Sequence, residues 1–283
     1  MTNLNKNVDE LTNHISNVIE KMNVKNDYYP VFIAENFLTN DIYDTLSKTF
    51  PENNFNFTTT DGYHNRGTQN FDNETLFNIN PAWEIFYKSI TSDKFIEKLG
   101  QKLAPHIYKD RGRRVFKKWT VDDRKNDINN LILSADFKVD SIGRRGKINP
   151  HKDASRKLVT IMFYFADEDW REEWGGDTLF YSFKSKKCEK IWKKKKWYFK
   201  NNVPIESLDE FYELFEENLK GYFKPNSIGG MCANEYSYHA VNPINIDESR
   251  KRKSVRLCLE LNKPYPLSIQ LTNKIKNFIN KII

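Results

Sequence analysis

The sequence predicts an α+β chain that is mainly β, built on an antiparallel double-sheet jelly roll. Three observations predict it. Between about residues 127 and 265, short apolar or alternating stretches recur, each bounded by Gly, Pro or Asn. One of these stretches carries His-x-Asp and a later one a single His, a set suited to a metal ion. Upstream of them, apolar residues fall instead at helical spacing, which makes the first part of the chain a support for the strands.

In chain order, Val8, Leu11, Ile15, Val18, Ile19 and Met22 share one face. They predict an amphipathic helix of about four turns that covers a sheet. Tyr28 to Ile33 reads as an extended segment, and Thr39 or Asn40 caps a helix carrying Ile42, Leu46 and Phe50, closed by Pro51. Phe55 to Asn73 is polar, with the turn pairs Asp61-Gly62 and Arg66-Gly67. It predicts a long loop that presents Tyr63, His64, Asn65 and Arg66 either to a substrate or simply to solvent. Helical spacing returns from Trp83 to Leu103.

The strands begin near Asp127. Leu131 to Asp140 predicts one that ends at a turn across Gly143 to Gly146 and leads into the stretch bearing His151. Lys157 to Phe165 is a nearly unbroken apolar run of β-branched and aromatic residues, the pattern of a strand buried on both faces. Trp174-Gly175-Gly176-Asp177 is a turn, Thr178 to Tyr181 a strand, and Ser227 to Glu235 a glycine-containing lead into a strand with His239. Ser254 to Leu261 alternates strongly.

At 283 residues the expectation is one domain. It divides into a support region over 1–126, a core over 127–265 with an insertion at about 184–225, and a C-terminal helix over 266–283. The insertion holds Lys184 to Lys200, where lysines alternate with Trp192, Trp197, Tyr198 and Phe199, followed by a helix-like segment from Glu206 to Leu219. Such a stretch suits base stacking on nucleic acid. The favoured reading is a hairpin whose aromatics pack inward while its lysines stay in water. The net charge of +7 is likewise read as a Lys-rich solvated surface. Cys188, Cys232 and Cys258 are too scattered for a disulfide framework or a zinc site. With no signal-like start and no membrane-length apolar run, a soluble cytoplasmic protein with reduced thiols is expected.

The chemistry centres on His151-Lys152-Asp153. On an extended strand residues i and i+2 share a face, so the imidazole and the carboxylate converge while Lys152 points away. A second His, His239, completes the set of two imidazoles and one carboxylate that holds non-haem Fe(II) and leaves positions open. Either motif alone is weak, and their order along the chain raises the odds.

That order is His-x-Asp, Lys-x-x-Thr with Tyr164, Gly-Gly-Asp-Thr-Leu, His239-x-Val-x-Pro and Arg252-Lys253-Ser254. It resembles the Fe(II)- and 2-oxoglutarate-dependent oxygenases, and within them the prolyl-4-hydroxylase-like branch. The match spans Asp136 to Leu261, and Tyr29 to Pro51 is similar to the family's lead-in.

The resemblance implies a double-stranded β-helix with helices on one sheet, and metal ligands His151, Asp153 and His239. Arg252 with Ser254 and Tyr164 would hold the far carboxylate of 2-oxoglutarate, and Arg256, of the same strand parity, is the runner-up. It also implies O2 as cosubstrate, admits ascorbate, and yields succinate and CO2 as an unactivated C–H is hydroxylated. Asp153 argues against a halogenase, in which a small residue stands there. The substrate expected is a peptidyl residue of prolyl type, touched by Asn65, Arg66, Arg145 and Trp170. A free amino acid, sugar or other metabolite is the alternative, as is a non-catalytic module that binds nucleic acid through the insertion. No membrane partner is expected, and the oligomeric state stays open.

Overall fold

A computed structural model of the chain describes residues 2–51, 58–60, 63–69, 73–111, 119–121, 131–154, 156–195, 198 and 200–261. The predicted C-terminal helix over 266–283 lies outside them. In order, α1 (Thr2–Lys21), β1 (Val24–Asn26), β2 (Pro30–Glu35) and α2 (Asn40–Lys48) lead to β3 (Thr58–Thr60) and β4 (Tyr63–Gln69). Then come α3 (Asn73–Ile79), α4 (Pro81–Ile90), α5 (Asp93–Arg111), β5 (Trp119–Val121), β6 (Leu131–His151), β7 (Lys157–Tyr164) and β8 (Thr178–Phe183). The insertion supplies α6 (Lys186–Trp192), α7 (Leu208–Leu214) and β9 (Phe215–Gly221), and β10 (Ser227–Cys232), β11 (His239–Val241) and β12 (Arg252–Leu261) complete the strands.

The strands form a strongly curled sheet whose main path runs β1-β2-β10-β7-β12-β6-β11-β8-β9. Its neighbours along that path are antiparallel, and off it β5 joins β6 in parallel. This is the mainly β, jelly-roll architecture expected. The helices cover one side of it. Leu11, Ile15 and Ile19 of α1, Met22 just past its end, Trp83 and Phe86 of α4, and Phe95 and Leu99 of α5 share a core with Val159 and Ile161 of β7 and Val255 and Leu257 of β12. Burying each of these large side chains contributes about 1.5–3 kcal/mol.

Several local expectations change. The polar stretch before α3 is not a loop throughout, because Thr58–Thr60 and Tyr63–Gln69 pair with each other and β4 continues onto β6. Cross-strand hydrogen bonding there outweighs poor strand propensity. The helical stretch from Trp83 is two helices, broken where Thr91 and Ser92 back-bond to Tyr87 and Ser89. The turn expected at Gly143–Gly146 is a kink inside one strand: Arg145 has a φ of 59°, and its amide bonds the carbonyl of Ile244, so the chain keeps a partner through the bend.

The glycine pair 229–230 lies within β10 itself. A Cβ on Gly230 would stand 2.3 Å from the Phe32 ring, so only glycine fits that contact. The helix expected over Glu206 to Leu219 ends at Leu214, where Phe215 turns extended and β9 pairs with β8.

Of the aromatics set among the insertion's lysines, Trp192 and Tyr198 pack inward. Trp192, Tyr198, Phe211 and Phe215 form a second core with Tyr181, Phe183 and Tyr238. That leaves neither Trp192 nor Tyr198 as a stacking platform for bases; Trp197 and Phe199 lie outside the described residues. Among the described residues no helix is long and apolar enough to cross a membrane. Among the described residues the three cysteines form no disulfide.

Candidate active site

Strand pairing brings the two histidines together. His151 ends β6, His239 begins β11, and they are direct cross-strand partners with ring centroids 4.1 Å apart. Each ring's Nδ1 meets a backbone carbonyl two residues upstream, Asn149 at 3.0 Å and Ser237 at 3.1 Å. A carbonyl accepts, so each Nδ1 carries the proton and Nε2 is the lone-pair nitrogen. Burial, with His239 beside it, holds the His151 pKa well below the usual value, and burial also lowers that of His239. Both rings are therefore neutral near pH 7, the state in which imidazole binds a metal.

Asp153 lies just past the strand end rather than on it, so the simple i, i+2 argument does not place it. It is positioned by side chains instead. Lys157 Nζ donates to one carboxylate oxygen at 2.6 Å and the Thr160 hydroxyl to the other at 2.6 Å. Burial would raise its pKa, but His239, Lys157 and His151 together hold the carboxyl far below the usual range. With both oxygens engaged, the three donors line one cavity without closing on a point. Among the described residues no group of three or more His, Cys, Asp or Glu side chains is spaced to hold a metal ion.

The same cavity is lined by Arg252, Arg66, Arg256, Asp140, Thr178 and the apolar side chains of Met162, Phe180, Met231 and Val241. Arg252 begins β12 and is 1% exposed. Its guanidinium donates to the Gly176 carbonyl, to Ser254 Oγ at 2.9 Å and to Thr178 Oγ1 at 3.2 Å, and it lies over the Tyr164 ring at 5.2 Å. The Tyr164 hydroxyl donates to the same Thr178 oxygen at 2.8 Å. All of these acceptors are neutral, and among the described residues no carboxylate pairs with Arg252. A buried cation with only neutral partners is an open place for an acid.

Arg256, two rows along the strand, turns instead towards Asp140, its Nε 3.9 Å from Oδ2. Arg66 donates to the other oxygen of Asp140 at 2.9 Å, joined by the Thr68 hydroxyl at 2.6 Å. Burial would raise the Asp140 pKa, yet the two guanidiniums hold it below the ordinary carboxylate value.

The structure thus gathers His151, Asp153, His239, Arg252, Ser254, Tyr164, Arg256 and Arg66 around one cavity or its wall. Asn65 and Arg145 do not join them. They line a separate surface pocket with Arg144, Glu248 and Lys251, each standing at a backbone kink of positive φ, 47° at Asn65 and 59° at Arg145. Trp170 is also elsewhere: it meets Phe223 and Trp174 edge to face and donates to the Gly175 carbonyl at 3.1 Å. Sequence reasoning missed Asp140 and Thr178. Asp140 had a usable signal, an acid at inward parity within Val139-Asp140-Ser141, which a buried strand tolerates only with partners.

The donor chemistry fits a divalent metal and a dicarboxylic 2-oxo acid: two neutral imidazoles, one ionised carboxylate, and a buried guanidinium awaiting a counter-charge.

This arrangement sits on the fold of the prolyl-4-hydroxylase-like oxygenases. No protein-family model matches the chain, and no curated protein matches it in sequence. Among solved structures it is similar to a prolyl-4-hydroxylase from Pseudomonas putida, at a TM-score of 0.52 and 12% identity over 88% of this chain and 99% of that one. A prolyl hydroxylase from Trichoplax adhaerens, solved with a hypoxia-inducible-factor peptide fragment, aligns at a TM-score of 0.49 and 10% identity over 92% and 93% of the two chains. HygX from Streptomyces hygroscopicus, solved with nickel, 2-oxoglutarate and hygromycin B, aligns at 0.45 and 9% identity over 84% and 85%. At these identities the likeness is one of fold.

Proposed function

We propose that the chain is an Fe(II)- and 2-oxoglutarate-dependent dioxygenase that hydroxylates an unactivated C–H, with succinate and CO2 as co-products. The observation that carries the reading is Arg252, a buried guanidinium whose hydrogen-bond acceptors are all neutral, in the cavity that His151, Asp153 and His239 line. His151 and His239 would each offer Nε2 to the metal, and Asp153 one oxygen after releasing Lys157 or Thr160. When bound, the metal and the 2-oxo acid supply the oxidising chemistry. The chain's own residues do the rest. Arg252, Ser254 and Tyr164 seat the far carboxylate of the cosubstrate, Asn149 and Ser237 carbonyls fix the imidazole tautomers, and Met162, Phe180, Met231 and Val241 keep water from the reacting end.

The substrate class we favour is a peptidyl residue of prolyl type, supported by the shared fold with the Pseudomonas putida enzyme. The test is anaerobic mixing of protein, Fe(II) and 2-oxoglutarate, expected to give a charge-transfer absorbance that His151→Ala abolishes. Succinate-coupled screening of peptides against small metabolites then decides the substrate. A parent protein that shows no band and releases no succinate overturns the reading.

A further inference from the structure

Lys152 stands between two of the proposed metal ligands, and a lysine there is 9% exposed. Its side chain does not line the cavity. The ammonium donates to the Tyr198 carbonyl at 2.6 Å and lies over two rings, Tyr198 at 4.9 Å and Tyr238 at 5.5 Å. Tyr198 belongs to the insertion; Tyr238 immediately precedes His239. The nearest acid with influence is Glu235, which accepts from the Tyr198 hydroxyl at 2.6 Å. One cation therefore ties together the residue after the first histidine, the residue before the second, and the insertion.

The backbone repeats the same connection. Val203 donates to the Pro150 carbonyl at 3.1 Å, the Lys152 amide donates to the Asn201 carbonyl at 2.8 Å, and His151 faces Asn202 in an antiparallel bridge. The stretch around 201–203 thus acts as a further strand alongside 150–152, where β6 has just lost its regular pairing. Packing alone does not require a charge in this place. A methionine of similar reach fills an aromatic pocket without the desolvation that an ammonium pays, so the ammonium is retained for what it fixes.

We infer that the 184–225 insertion is a positioning element for the metal centre, acting through Lys152, which locks the His151 and His239 backbones to a common strap. This rests on the metal-binding reading above. Lys152 touches neither metal nor substrate; it sets the rotation of the strand end from which His151 projects. An unclamped end lets the imidazole sample orientations that do not converge with His239, which lowers affinity for the metal more than it lowers the stability of the metal-free fold.

The test is Co(II) titration of the full chain, followed by visible absorbance, with hydrogen exchange read at the Lys152 and Val203 amides of the metal-free protein. Lys152→Met is expected to weaken Co(II) binding by about tenfold, the lower end of what outer partners of a metal ligand contribute. It should speed exchange at both amides while the metal-free melting temperature holds within a few degrees. Lys152→Arg, which keeps the cation, is expected to recover part of the affinity, and Lys190→Met on the exposed face of α6 to change nothing.

Should Lys152→Met fail to fold, Tyr198→Leu keeps the carbonyl, removes one ring face, and is expected to weaken Co(II) binding several-fold. Parent-like Co(II) affinity in whichever variant folds overturns the inference and leaves the metal-binding reading intact. Absence of Co(II) binding in the parent, or binding that survives His151→Ala, overturns both.

Discussion

Replacing Arg252 by methionine tests the site most directly. The guanidinium is 1% exposed and is met by the Gly176 carbonyl and the hydroxyls of Ser254 and Thr178, so its charge has been stripped of water while the carboxylates that act on it, Asp140 and Asp177, stay out of direct contact. A carboxylate entering beside Tyr164 supplies a counter-charge through a planar, two-point contact. Removing one member of such a buried pair costs about 3–5 kcal/mol, because the remaining acid stays buried and alone. At about 1.4 kcal/mol per tenfold, the dissociation constant for 2-oxoglutarate should rise between about one hundred and several thousand times.

The assay is isothermal titration of 2-oxoglutarate into Co(II)-loaded protein, with Co(II) affinity measured separately as a control on the fold. Arg252→Lys, which keeps the charge but not the fork, should fall between parent and methionine variant. The metal-free methionine variant should melt close to the parent, since it exchanges a desolvated cation for an apolar chain. Titration curves for Arg252→Met that superimpose on those of the parent would refute the anchoring role and return Arg256 to consideration.

Other outcomes follow from single contacts. Tyr164→Phe removes the hydroxyl that donates to Thr178 and should weaken 2-oxoglutarate binding by about 1 kcal/mol, or roughly fivefold, in the same titration. Asp140→Asn leaves Arg66 and Arg256 facing a neutral amide and should cost about 3 kcal/mol of unfolding free energy in urea at pH 7. Because the Asp140 pKa is depressed in the fold, its contribution is present above about pH 4 and fades as pH falls through the folded value. The gap between variant and parent should therefore narrow in acid, and an equal gap at both ends would contradict the pairing.

Tyr43 behaves in the opposite sense. Burial pushes its phenol up to about 12 while the hydroxyl donates to the Ala166 carbonyl at 2.7 Å. Its contribution is present below about pH 10 and lost as pH rises towards the folded value, so Tyr43→Phe should flatten the alkaline fall in melting temperature. Gly229→Ala would place a Cβ 2.6 Å from the Tyr164 hydroxyl and should destabilise by about 1–3 kcal/mol, read by chemical denaturation.

The core strands were legible because burial writes directly into composition. Lys157 to Tyr164 is nearly all apolar and is largely buried on both faces, and Ser254 to Leu261 alternates because Val255, Leu257 and Leu259 face the helix-covered core while Arg256 faces the cavity. The histidines and Arg252 were legible through their order along the chain. What the residues did not carry was the path of the backbone between elements. The bend at Arg145 looks like a turn because two glycines flank it, and the reciprocal bonds of Arg145 and Gly146 with Ile244 give the strand a partner through it. Asp153 was expected on the strand face, yet its orientation comes from Lys157 and Thr160, and side-chain partners several residues away leave no periodic trace. Asn65 and Arg145 were expected to touch the substrate, and backbone kinks that no periodic pattern announces set them at a surface pocket instead.

The bend at Arg145 explains why the acid anchor and the metal donors share one cavity. Before it, β6 pairs with β12, setting Asp140 opposite Ser254, two residues from both Arg252 and Arg256. After it, β6 pairs with β11, setting His151 opposite His239. A straight strand would have kept β12 as its partner along its whole length. The change of partner turns the last residues of β6 across the curl, so one strand supplies a wall at the anchoring end and a donor at the metal end. The cost is a non-glycine residue with a φ of 59°, of the order of 1 kcal/mol, offset by the reciprocal bonds of Arg145 and Gly146 with Ile244. Those bonds also seat the segment leading from β11 to β12, so the positions of His239 and Arg252 are both referred to the same kink.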